Sequence, residues 1–98
     1  MTANAAPEGQ RIDKWLWHAR FARTRTAAQQ LTLAGHVRIN RDKAKAASRL
    51  VRPGDVLTLS LRSGVVVIRV LGLAERRGSA QEAGQLYEPA VVHGESES

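Results

Sequence analysis

The chain contains no cysteine. Disulfides, thiolate metal sites and a cysteine nucleophile are therefore excluded. Aromatic residues are scarce: two Trp, one Tyr and one Phe in 98 residues. The longest uninterrupted aliphatic run is Val65 to Ile68, far short of the roughly 20 residues a membrane-spanning helix needs. The first ten residues have no basic start and no apolar block, so we do not read them as a secretory signal. There is no Walker loop, dinucleotide fingerprint or nucleophile elbow. His18 and His93 have no partner at metal-ligand spacing. We expect no catalytic residue, no metal, no cofactor and no small-molecule substrate, in a cytoplasmic monomer that does not bind membranes.

Acidic residues are nearly missing from one stretch. Residues 11–52 carry eleven Lys and Arg against only Asp13 and Asp42. Residues 78–98 show the reverse, with Glu82, Glu88, Glu95 and Glu97 and no Lys or Arg. The net charge of +6 hides this division. A concentrated cation attracts a polyanion, and nucleic acid is the default one. Arginine supplies 12 of the 15 basic side chains, and its planar fork binds phosphate bidentately and stacks on bases.

Leu, Ile, Val and Phe make up 23 of the 98 residues, above the roughly 20% below which charged chains stay disordered. The length suits one small domain with a thin core. Ile12, Trp15, Leu16 and Ala19 recur at helical spacing, with Trp17 on the polar side beside Asp13, Lys14 and Arg20. Thr24 is placed as an N-cap for a second helix over 25–34, with Ala27, Ala28, Leu31 and Ala34 on one stripe and Gly35 ending it. Residues 36–40 then alternate as a strand. Residues 41–50 read as a basic irregular loop. Residues 52–55 read as a turn with Gly54 at its third position. Residues 56–61 and 65–71 read as strands joined at Ser63-Gly64. Ser79 to Glu82 has capping-box spacing, which predicts a helix over 79–87 docked by Tyr87 or Leu86. The fold class is α+β, two helices packed on a small, mostly antiparallel sheet, with a short C-terminal helix.

The basic residues fall in identifiable places. Arg11 and Lys14 open the first helix, and Arg23 and Arg25 flank the start of the second. Helix N-termini present unpaired N–H groups, so these ends form a candidate phosphate cradle. Arg38, Arg41, Lys43 and Lys45 follow on the strand and loop. Their charges merge with the cradle if that loop folds back beside the second helix. Trp17 is either a stacking platform for RNA bases or packing for a loop or the C-terminal helix. Asp13 suits the helix dipole, or orients Arg11 or an arginine of the second helix. His36 is exposed, open to RNA contact or to a plain surface role.

Residues 11–71 resemble the S4-type RNA-binding domain, the alpha-L motif. The matching pieces are Arg11-Ile12-Asp13-Lys14-Trp15-Leu16, Phe21-Ala22-Arg23-Thr24-Arg25, Ala34-Gly35-His36-Val37-Arg38-Ile39-Asn40 and Val51-Arg52-Pro53-Gly54-Asp55. Glu75-Arg76-Arg77-Gly78-Ser79-Ala80 and Leu86-Tyr87-Glu88 are similar to the C-terminal extension of the ribosome-associated heat shock protein 15 family. Many of its members have Asn-Gly where this chain has Asn40-Arg41, and a basic helical tail where this chain is acidic.

The resemblance implies an RNA surface that includes Arg11, Lys14, Arg23, Thr24, Arg25, Arg38, Asn40, Arg41, Lys43 and Lys45. It implies large-subunit ribosomal RNA as partner, with tRNA a further one, and recognition of large subunits that still carry a nascent chain on tRNA. The corresponding division is a flexible arm over 1–10, the S4-type domain over 11–77, a helical extension over 78–88 and a disordered acidic tail over 89–98. A helix-turn-helix DNA-binding regulator, an adaptor for an acidic protein and an accessory subunit of an RNA-modifying enzyme are the rivals.

Overall fold

The computed structural model describes residues 9–90. The expectations for 1–8 and 91–98 lie outside those residues. The chain forms β1 (Gln10–Arg11), α1 (Ile12–His18), α2 (Arg25–Leu33), β2 (Val37–Ile39), β3 (Asp42–Lys43), β4 (Leu50–Val51), β5 (Val56–Leu61), β6 (Gly64–Val70), α3 (Ala80–Ala83) and β7 (Tyr87–Pro89). The main sheet is antiparallel, in the order β3-β2-β5-β6-β7, and β1 pairs with β4 in a second small ladder. The α+β class expected from the sequence is the one observed.

Alternation in the strands decides which face meets the helices. Val37 and Ile39 of β2, Leu57 and Leu59 of β5, and Ile68 and Val70 of β6 are buried against α1 and α2. Truncating one of these leucines to alanine costs about 2–5 kcal/mol. Trp15 anchors the centre. It is fully buried, donates its indole N–H to Gly72 O at 2.9 Å, and meets Phe21 and Tyr87 at ring distances of 6.1 and 6.4 Å.

Helix α1 buries more than its apolar stripe. Asp13 and His18 are buried with Ile12, Trp15 and Leu16, which corrects the placement of Asp13 on an outward polar side. Loop 44–49 and α2 cover one flank of the helix and the C-terminal segment covers another. In α2, Ala28 and Thr32 are the fully buried pair and Ala34 is exposed. Thr32 tolerates burial because its hydroxyl donates to Ala28 O at 2.9 Å. Thr24 caps the helix as expected, and Gly35 follows it at φ +87.

The turns and both ends depart from expectation. The two-residue loop of the β5–β6 hairpin is Arg62-Ser63 rather than Ser63-Gly64, since Leu61 pairs with Gly64. Gln10 belongs to a strand, not to a loose arm; it pairs with Val51 and donates its side-chain amide to Ala74 O at 2.6 Å. The capping box at Ser79 and Glu82 forms, but α3 stops at Ala83. Tyr87–Pro89 then adds to the open edge of β6, and Ala90 N reaches Val67 O at 3.0 Å. So residues 89 and 90 are sheet-bound, because an aliphatic strand edge offers ladder partners that a free tail lacks.

Candidate nucleic-acid interface

Asp13 is the hub of the basic half. Its Oδ1 accepts from Arg11 Nε at 3.1 Å. Its Oδ2 accepts from Arg11 Nη2 at 3.0 Å, Gln29 Nε2 at 3.0 Å and Arg25 Nη2 at 3.3 Å. Burial alone would raise the Asp13 pKa. The hydrogen bonds from Arg11 and Gln29, the Arg11 charge and the Lys14 N–H outweigh it and hold the carboxyl below its ordinary value. Asp13 is fully buried while the two arginine side chains stay 47% and 40% exposed. The carboxylate thus fixes both guanidinium groups from behind and leaves their outer faces to solvent.

The start of α1 does not supply the free N–H groups expected of the cradle. Ile12 N donates to Arg49 O at 2.7 Å, and Asp13 N to Ala47 O at 3.2 Å. At α2, Thr24 Oγ1 accepts from Ala27 N at 2.9 Å, so that hydroxyl oxygen serves as a cap. Asn40 is also committed to the fold. It takes the left-handed conformation at φ +59, and its Oδ1 accepts from Val56 N at 3.1 Å. The positive φ of the turn falls on Asn40, not on Arg41, so Arg41 is unstrained there. Asparagine tolerates this conformation well.

The same loop-to-helix bonds that consume the N–H groups merge the charges. They set the backbone of Arg49 beside the start of α1 and Arg11. Lys43, Lys45, Ser48 and Arg49 line a groove of about 420 Å³. Lys43 runs past Gly35, where an added Cβ would lie 3.5 Å from its Cδ and Nζ. Its charge therefore sits near the C-terminal end of α2, where the dipole favours a cation. Arg38 stands opposite Lys43 across the β2–β3 pair, and both are exposed. Arg38 and Lys43 thus share one hairpin, Lys43, Lys45 and Arg49 share one groove, and Arg11 and Arg25 share Asp13. Arg41 is exposed at the hairpin tip, and Lys14 is half-buried in an adjoining cleft with Arg11, Ala74 and Glu75.

Two candidates stand apart. Arg23 lines a different groove, with Phe21, Leu31, Leu61 and Arg62, although it is two positions from Arg25. Trp17 is half-buried, and the Arg77 guanidinium stands over its ring at 5.7 Å. Arg77 also donates Nε to Trp17 O at 3.0 Å. Packing against the C-terminal segment is therefore what the structure shows of this residue. Arg49 and Gln29 were not singled out from sequence. Arg49 was visible as one more cation in a basic stretch, whereas nothing in the sequence marks Gln29. Among the described residues, no group of three or more His, Asp or Glu side chains is placed to hold a metal. No described helix is long and apolar enough to cross a membrane.

The S4 domain family matches residues 10–57. The heat shock protein 15 homolog of Haemophilus influenzae is 38% identical over 78 residues, 80% of this chain and 59% of that protein. Heat shock protein 15 of Escherichia coli is 38% identical over 80% of this chain and 58% of its own length. Small ribosomal subunit protein uS4 of Novosphingobium aromaticivorans is 43% identical over 54 residues, which is 55% of this chain and 27% of that protein. Among solved structures, the trimeric heat shock protein 15 of Vibrio cholerae superposes with a TM-score of 0.76 at 39% identity, covering 85% of this chain and 83% of that one. The chain spans under 60% of the length of the first two relatives. The alpha-L arrangement of helices and sheet, the matched motif region and these relatives agree: the chain belongs to the S4-domain proteins of the heat shock protein 15 family.

Proposed function

We propose that this protein is a non-catalytic, cytoplasmic RNA-binding module that docks on structured ribosomal RNA of the large subunit. The observation that carries the reading is the run of cations from Arg38 to Arg25, two of them pinned by buried Asp13. Such a surface engages phosphates along a folded RNA through shape and charge rather than base sequence. The proposed role is recognition of large subunits that retain a nascent chain on tRNA after aborted translation. Its support is membership of the heat shock protein 15 family.

A DNA-reading helix-turn-helix is disfavoured by α2 itself. Its one cation is Arg25, which is tied to Asp13, while the other cations of the proposed surface lie on β1, β2, β3 and the loop after β3. We propose a monomer; the trimer of the Vibrio cholerae relative makes self-association the alternative, and light scattering on the eluting protein decides between them.

The test is co-sedimentation with small subunits, vacant large subunits and large subunits bearing peptidyl-tRNA, at one fixed salt. Preference for the peptidyl-tRNA-bearing particle supports the role. Equal binding to all three reduces the protein to a general RNA binder.

A further inference from the structure

The C-terminal segment crosses α1 as a strap. Arg20 donates Nε and Nη2 to Gly78 O at 3.1 and 2.8 Å, and holds φ +65, a conformation unfavourable to residues with a Cβ. An added Cβ at Gly78 would run into the Glu82 carboxylate, which the capping box holds in place. The strap is thus tied on one side to the end of α1 and fitted closely to α3 on the other.

Between them lies a cleft of about 430 Å³, walled by His18, Glu75, Arg76, Glu82 and Gln85 together with backbone of the strap. That is within the size range of small-ligand sites, roughly 300–1,000 Å³. His18 is 1% exposed, and its Nδ1 is closed off from solvent. The ring still lines the cleft, so its edge is what a ligand meets there. Burial, and then the charges of Lys14, Arg25 and Arg77, outweigh the backbone contact of Ala74 and keep the imidazole pKa below its ordinary value. Arg76 and Gln85 are exposed on the cleft walls.

We infer that this cleft binds one unpaired nucleotide, its base against His18 and Gln85 and its phosphate on Arg76. A base edge offers both donors and acceptors, which match an imidazole, a carboxamide and a carboxylate side by side. Ala74 and Glu75 line both this cleft and the one beside Arg11 and Lys14. A strand held on the cationic surface can therefore continue into it. Only the choice of RNA as the natural source of the nucleotide rests on the proposed function.

The test is nuclear magnetic resonance of the full chain during titration with adenosine monophosphate, uridine monophosphate and, separately, inorganic phosphate. Saturable shifts of the His18 ring and the Gln85 side chain with a nucleotide but not with phosphate are expected. Arg76→Ala should weaken nucleotide binding about tenfold, the loss of one charge-assisted hydrogen bond. Arg62→Ala, in the β5–β6 hairpin loop away from the cleft, should change it less than about twofold, since additivity holds for separate sites. Arg76 is exposed, so its variant is expected to fold as the parent does. Equal shifts with phosphate, no shift of His18 at millimolar nucleotide, or loss of binding in Arg62→Ala rather than Arg76→Ala would overturn the site. The readout needs no ribosome, so it stands or falls apart from the ribosomal RNA reading.

Discussion

Arg11 and Arg25 meet on a single oxygen: Asp13 Oδ2 accepts Nη2 of the first at 3.0 Å and Nη2 of the second at 3.3 Å. Two cations, one from β1 and one from α2, are thereby held side by side although their charges repel. The buried carboxylate offsets the repulsion and fixes the geometry. This contact links the fold to the proposed interface.

Asp13→Ala is predicted to lower stability by about 1–3 kcal/mol, the cost of leaving buried donors without an acceptor. The value stays at that scale because Arg11 and Arg25 are half exposed and water takes part of the carboxylate's place. RNA affinity should fall as well, since the two guanidinium groups lose their common anchor. Urea unfolding together with an RNA titration checks both effects. An unchanged urea midpoint would show that the hub is not structural.

The pH dependence follows from the same residue. The Asp13 pKa is depressed in the folded state, so the folded protein binds fewer protons at this site than the unfolded chain. The stabilisation is complete above the unfolded value of about 3.9 and is lost as pH falls through the lower folded value. Urea midpoints measured from pH 5 to pH 2 should drop steadily, and Asp13→Asn should remove part of that slope.

His18 acts at a higher pH. Its folded pKa is also depressed, first by burial, so acid favours the unfolded chain, which takes the proton more readily. Stability should be complete above about pH 6.5 and decline below it. His18→Phe should flatten the change between pH 7 and pH 5. A wild-type midpoint constant across that range would contradict the burial of a neutral imidazole.

The C-terminal segment packs against the core. The Tyr87 ring lies tilted at 4.8 Å from Phe21 and meets Trp15 edge-on. Tyr87→Ala is predicted to cost about 2–3 kcal/mol, less than a fully buried aromatic, because the ring is half-buried. Thermal unfolding measures it. A loss under 1 kcal/mol would make β7 a loosely attached edge.

These residues also show what could be read from sequence. The apolar stripe of α1, the Thr24 cap, the turn at Gly54 and the alternation of β5 were legible because each rests on local spacing. Asp13 was legible only as a choice among roles, since its side-chain partners come from β1 and α2 together. The strand at Tyr87–Pro89 was missed because three residues carry too little periodicity to outweigh a polar, Pro-containing context. Arg23 and Arg25 read as a pair in sequence. Arg23 precedes the extended Thr24 cap and Arg25 opens the helix, so the first lines a groove with Arg62 and the second joins Asp13. The free N–H groups expected at α1 are lost for a long-range reason: loop carbonyls thirty-odd residues away occupy them.

The most direct test of the account is the salt dependence of binding to a structured ribosomal RNA fragment, comparing the wild type with Lys43→Ala/Lys45→Ala/Arg49→Ala. All three side chains are exposed and none bonds another side chain among the described residues. The prediction is weaker binding, a slope of log affinity against log salt reduced by about 2–3, and an unchanged thermal midpoint. The same slope and affinity in the variant would place the RNA elsewhere on the protein and contradict the account.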